Sequence, residues 1–223
     1  MTDTAGGART FVFDHATRAL VRLAARIAAG SETDVRAGII ETTVAATPAR
    51  WVEEVILQSY LFAGFPRTLN AAREWRRAQA DGDSGARRER QAEDSGTAFG
   101  DDRRPDFRSE GEATCARVYG KFYEKLRHNI TELHPELDAW MIEEGYGKVL
   151  SRAGLDLPRR ELCIVAACVA AGQDRQLHSH LHGARNVGAP ESAISAALEA
   201  LEGVVNEEHR RRAILLWARV KGR

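Results

Sequence analysis

Apolar residues recur at three- and four-residue intervals over most of the chain, the period of helices that bury one face. Two such stretches are framed alike, one from Asp14 to Gly30 and the other from Asp156 to Gly172. The Asp reads as an N-cap and the Gly as the residue just past the helix end, so each stretch predicts a helix of about 14 residues. Pro158 falls near the first turn of the second, where its missing N–H costs nothing. The pattern then predicts a helix from about Arg175 to Asn186, stopping near Gly188. Pro190 opens another over Glu191–Glu202, with Ala193, Ile194, Ala197, Leu198 and Leu201 turned inward. Further helices are expected at Ala113–Leu133, at Pro135–Leu150 with the Trp140 and Met141 side packed, and at Asn206–Lys221.

Between Arg76 and Ser109 the apolar pattern gives way to Gly, Ser, Asp and Arg, a composition that cannot offset the entropy of ordering. Residues 76–110 therefore read as a polar linker or long loop. It separates a first unit, residues 11–75, from a second, residues 111–223. Segments on either side of it align without a gap at an offset of 142 residues, with nine identities in the 36 positions from Phe13. Asp14, Arg18, Gly30 and Pro48 fall on Asp156, Arg160, Gly172 and Pro190. The chain reads as two copies of one helical unit.

Composition sharpens this into an all-α expectation. There are 36 alanines, and aromatic residues make up only 7%, which favours helices over strands. Lys plus Arg and Asp plus Glu both number 32, which leaves no charge surplus for nucleic acid or anionic lipid. The charge-free stretch around Cys163 to Gln173 falls well short of the ~20 residues that span a bilayer. Met1–Thr10 has no signal-peptide pattern, so the protein is expected to be cytoplasmic. Cys115, Cys163 and Cys168 are odd in number with no Cys-x-x-Cys, which argues against a disulfide framework, a zinc ribbon and a dithiol centre.

Candidate chemistry concentrates in Gln176–Gly188, which holds three of the seven histidines. On a helix His178 and His182 share a face, while His180 points about 200° from His178. The pair lacks a nearby third ligand, so no metal is expected and His178 and His182 read as partly exposed. His180 has Leu177, Leu181 and Ala184 as helical neighbours and projects toward the core. Glu161, on the packed face of the preceding helix, is the candidate partner. An imidazole beside a carboxylate can form a proton-transfer pair, and can equally be a satisfied core contact. Glu161 lies about 16 Å before Gly172 along its helix and His180 only about 8 Å into the next, so strictly antiparallel helices would miss. The pair can meet only if the helices cross steeply.

The second unit resembles the carboxymuconolactone decarboxylase family, which shares a fold with the alkylhydroperoxidase D proteins. The resemblance rests on Arg160-Glu161-Leu162, Gln176-Leu177 followed by His180, Gly183 to Gly188, and Tyr146 to Leu150. Glu54 to Gln58 and Ala63 to Pro66 carry a weaker version in the first unit. The resemblance implies an all-helical, duplicated alkylhydroperoxidase D-like unit in which a glutamate and a histidine 19 positions apart do meet. In the peroxidase branch two cysteines lie between them; Gln173 and Gln176 stand there in this chain, which disfavours peroxidase or thiol-reductase activity. Ala19 and Gly38 occupy the places of Glu161 and His180 in the first unit, so one site per chain is expected.

These readings lead to a cofactor-independent lyase of the 4-carboxymuconolactone decarboxylase type, acting on a small carboxylated lactone or related unsaturated acid. His180 would be the acid and Glu161 would tune it. Arg185 or His178 would hold the substrate carboxylate, and His182 and Tyr146 would line the site. The alternative is a non-catalytic oligomeric or ligand-binding protein of the same fold. The resemblance also implies self-association, as a trimer in preference to a dimer. No nucleic-acid or membrane partner is expected.

Overall fold

The computed structural model describes residues 11–82 and 106–222, and among them there are helices and no strands. Three helices form the first half: α1 (His15–Ala29), α2 (Glu32–Val44) and α3 (Ala49–Gly82). Then come α4 (Phe107–Tyr119), a 3-10 turn at Gly120–Phe122, α5 (Tyr123–Leu133), α6 (Pro135–Trp140) and a π-helical stretch, Met141–Leu150. Helices α7 (Leu157–Ala170), α8 (Asp174–Asn186), α9 (Glu191–Ala200) and α10 (Glu207–Lys221) complete the chain. No described helix is long and apolar enough to cross a membrane.

The helix starts follow local chemistry. Asp14 accepts from the Thr17 backbone N–H at 2.7 Å, and Asp156 from that of Arg159 at 3.0 Å, so both aspartates cap as expected. Helices α1, α2 and α3 begin at His15, Glu32 and Ala49; α7, α8 and α9 begin at Leu157, Asp174 and Glu191, each 142 residues further on. Helices α1 and α7 pack against each other, and Arg159 Nε donates to Thr17 Oγ1, the position 142 residues earlier, at 2.9 Å. Contact between equivalent positions is what a local two-fold relation produces.

Several boundaries differ from the sequence expectation. Helix α3 runs on through Gly82, with one break at Gly64 (φ 76°, ψ 165°), and α4 starts at Phe107, so both ends of the expected linker are helical; residues 83–105 lie outside the described residues. The single helix expected over Ala113–Leu133 breaks at Gly120, whose φ of 53° an L side chain rarely adopts. Met141 packs partly buried against the core as expected, but Trp140 is 58% exposed, and Ile142, Tyr146, Val149 and Leu150 form the buried face. A π-helix has a wider turn than the 3.6-residue pattern assumes, which shifts the inward face. Helix α4 packs on the π-helix backbone to backbone. A Cβ at Gly111 would lie 2.1 Å from Ile142 O, and one at Gly147 would lie 1.9 Å from Phe107 O.

The contact that sets α7 against α3 is ionic and buried. Arg160, fully buried, donates to Glu54 Oε2 at 2.8 Å, Gln58 Oε1 at 3.2 Å, Leu155 O at 3.1 Å and Arg152 O at 3.0 Å. Gln58 Nε2 returns a bond to Arg160 O at 3.2 Å, and Arg152 closes on Glu54 from outside at 3.1 Å. The guanidinium is thus well satisfied, the condition under which a buried charge is tolerated. Burial works to raise the Glu54 carboxyl, but hydrogen bonds from Arg152 and Arg160 outweigh it and hold the group below its ordinary value of 4.5.

Glu54→Gln, which leaves the Arg160 charge uncompensated, is expected to cost about 3–5 kcal/mol in urea unfolding. A depressed carboxyl stabilises the fold above its unfolded value and loses that contribution as pH falls through the folded one. Wild-type stability should therefore drop on acidification below 4.5, with a shallower acid limb in the variant. An unchanged stability and acid limb would contradict the assignment.

Candidate functional site

Arg160 and Glu161 are consecutive, so their side chains leave α7 about 100° apart. With Arg160 gripped by α3, Glu161 turns to α8. Glu161 is fully buried, His180 is 4% exposed, and His180 Nδ1 lies 2.9 Å from Glu161 Oε2. Gly183 lets the two helices approach closely enough for the pair to meet. A Cβ there would meet Glu161 Oε2 at 2.6 Å and Val118 Cγ1 at 2.8 Å. The glycine lets the carboxylate lie directly on the α8 backbone, one turn beyond the histidine.

With Nδ1 turned to Glu161, Nε2 is the ring nitrogen that this pair leaves for other contacts. Phe62 of α3 meets the imidazole edge-on, with ring centroids 5.8 Å apart. Phe62 also lines a cavity of about 220 Å³ together with Leu61, Ala167, Cys168, Ala171, Gln173 and Gln176. The two glutamine positions that replace the family's cysteines thus face this cavity. Glu161 Oε1 is buried and has no hydrogen-bond partner among the described residues. Tyr119 and Tyr146 meet edge to face at 6.1 Å. Burial, reinforced by the Glu161 charge, pushes both phenols above their ordinary range, so they remain protonated.

The other sequence candidates are distributed differently. Tyr146 is buried among these groups. His178 and His182 stack edge to face at 4.9 Å, and among the described residues no cluster of three or more His, Cys, Asp or Glu side chains joins them. Arg185 departs from its expected place as a carboxylate clamp. Five residues after His180, about 140° round the helix, it donates to Val220 O at 2.9 Å and lies 3.6 Å from Glu191. It ties α8 to α10 and α9. Cys115, Cys163 and Cys168 are free and buried, and burial pushes each thiol up to about 12, which leaves almost no thiolate at neutral pH.

Three contributors were not singled out in the sequence. Phe62 comes from the other half of the chain, yet it continues the helical face of Glu54 and Gln58 at four-residue spacing, a signal that was present. Gly183 was part of a motif whose physical reason is now visible. Tyr119 precedes the Gly120 break and had no local signal.

At the place matching this pair in the first half, the chemistry is exchanged between helices. Glu41, 142 residues before Gly183, takes Arg22 at 2.7 Å and Arg26 at 2.6 Å. Ala19 and Gly38 leave room for that ion cluster, so no second imidazole site exists there.

Gly183→Ala is expected to cost about 1–3 kcal/mol in thermal or urea unfolding, because the methyl group collides with Glu161 and Val118. Gly145→Ala, whose added methyl would meet nothing within 4 Å, is the control and should be close to neutral. Equal effects of the two substitutions would contradict the close approach.

A model of the carboxymuconolactone decarboxylase family matches residues 135–218, which contain Glu161, Gly183 and His180. The chain is also similar to "Peroxisomal protein 2" of Schizosaccharomyces pombe, with 30% identity over 166 residues that cover 68% of this chain and 67% of that protein. The chain belongs to the carboxymuconolactone decarboxylase family.

Proposed function

We propose that the protein is a cofactor-independent lyase that decarboxylates a small carboxylated lactone or related unsaturated acid, with Glu161 and His180 as its proton-transfer pair. The observation that carries this reading is the unsatisfied Glu161 Oε1. An orphaned buried acceptor costs stability, so Oε1 is a position at which a bound group can donate. A carboxylate kept partly unsatisfied beside an imidazole suits a group whose charge and proton change during turnover.

In the proposed step the bond between the carbon skeleton and the departing carboxylate breaks, and its electron pair enters the conjugated system. The imidazolium of His180 gives its Nε2 proton to carbon, and CO2 leaves. His180 returns to the tautomer held through Nδ1 by Glu161, and water restores the proton. No other reactant is needed. The cavity walls support a small substrate: Leu61, Phe62, Ala167 and Ala171 exclude water, while the amides of Gln173 and Gln176 offer N–H donors to a remaining carboxylate. These amides take the place assigned from the sequence to Arg185. The high burial of His180 favours a second reading, a non-catalytic ligand-binding protein that keeps the pair for its fold.

Turnover of 4-carboxymuconolactone by the purified chain separates the two. His180→Ala is expected to lower kcat by about 10²–10⁴-fold, and Glu161→Gln to lower kcat with little change in KM. Arg185→Gln should keep wild-type turnover. Unchanged turnover in His180→Ala would sink the catalytic role, and absence of activity in the wild type would favour the ligand-binding reading.

A further inference from the structure

The widest cavity among those described lies at a different place, between α8 and α10. It measures about 680 Å³ and is lined by Asp174, Arg175, His178, Arg212, Leu215, Leu216 and Arg219. Its shape follows from two stitches. At one end Asp174, the first residue of α8, pairs with Arg212 near the start of α10 at 3.1 Å. At the other end Arg185 donates to Val220 O at 2.9 Å. The helices therefore run in the same direction and are held together at both ends, which leaves a groove between the stitches about 12 Å long, from Arg212 to Val220.

The middle of the groove is not filled. On α8, Arg175 and His178 are one turn apart on one face; on α10, Arg212, Leu215, Leu216 and Arg219 follow the same spacing. Leu215 is 57% exposed. Arg212 is committed to Asp174 and Glu208. Arg175 and Arg219 have no side-chain hydrogen bond or ion pair among the described residues. In a chain whose positive and negative residues balance at 32 each, two unpaired guanidinium groups beside an exposed leucine form a local surplus of charge over an apolar floor.

We propose that this groove is a second binding site, for an anionic amphiphile. Arg175 and Arg219 stand toward opposite ends of the groove, where either guanidinium can hold a carboxylate or phosphate head, and an apolar body lies against Leu215 and Leu216 between them. Guanidinium suits such a head because its planar donors match two oxygens at once. The stitched ends supply preorganisation, so the helices need not move to admit the ligand. The site is independent of the chemistry at His180, which projects from the opposite side of α8.

The test is displacement of anilinonaphthalene sulfonate fluorescence from the full chain by octanoate, octyl phosphate and the neutral 1-octanol. Both anions are expected to displace the dye, with the preferred one identifying the head group, and 1-octanol is expected to be at least about tenfold weaker. The double substitution Arg175→Glu with Arg219→Glu should weaken the anions at least about tenfold, and Leu215→Asp should weaken all three. These side chains are at the surface, so unchanged circular dichroism and unfolding midpoints show that the variants remain folded. Retained affinity in Phe62→Ala, which alters a wall of the smaller cavity, assigns the binding to the groove. Equal binding of 1-octanol, wild-type affinity in the double variant, loss of binding in Phe62→Ala, or no displacement at all would each overturn the proposal.

Discussion

A single buried guanidinium sets the geometry of the rest. Arg160 is fully enclosed and can remain charged there only if Glu54, Gln58 and the carbonyls of Leu155 and Arg152 all point at it. That requirement fixes α7 in rotation and in height against α3. Two consequences follow from helical geometry alone. Glu161, the next residue, is turned toward α8, and Phe62, two turns along α3 from Glu54, is brought edge-on to His180. The N-terminal helices thus contribute the frame and one wall of a site whose polar groups all come from the C-terminal half.

The first half shows why a related scaffold need not carry the same chemistry. Its α1 and α2 start in register with α7 and α8, yet the carboxylate comes from the second helix of the pair as Glu41 and is met by two arginines of the first. In the C-terminal half the carboxylate comes from the first helix, and Gly183 provides the room that Glu41 occupies in the other. Exchanging the helix that carries the charge turns a carboxylate–imidazole pair into an ion cluster with neither an imidazole nor an orphaned carboxylate oxygen. The helix register is kept while the polar groups differ at a few positions.

Much of the scaffold was legible in the sequence because its signals are local. Asp14 and Asp156 cap helices, Gly172 takes a φ of 66° past the end of α7, and the spacing of 19 between Glu161 and His180 was visible along with a geometric objection to their meeting. Arg185 and Trp140 were harder, because their surroundings are set by distant segments. Arg185 is engaged by Val220, 35 residues away, and the face containing Trp140 turns outward through a π-helix that the usual helical period does not describe. The Arg160 cluster spans 106 residues to Glu54, and no local pattern announces which arginine of 28 will be buried.

The proposed proton transfer requires His180 to be held through Nδ1 so that Nε2 is free to act. Nitrogen-15 NMR of the two imidazole nitrogens in the full chain tests this most directly. The expected spectrum shows neutral His180 with its proton on Nδ1, in a slowly exchanging hydrogen bond that is lost in Glu161→Gln. A proton found on Nε2, or an imidazole that averages both tautomers as it does free in water, would contradict it.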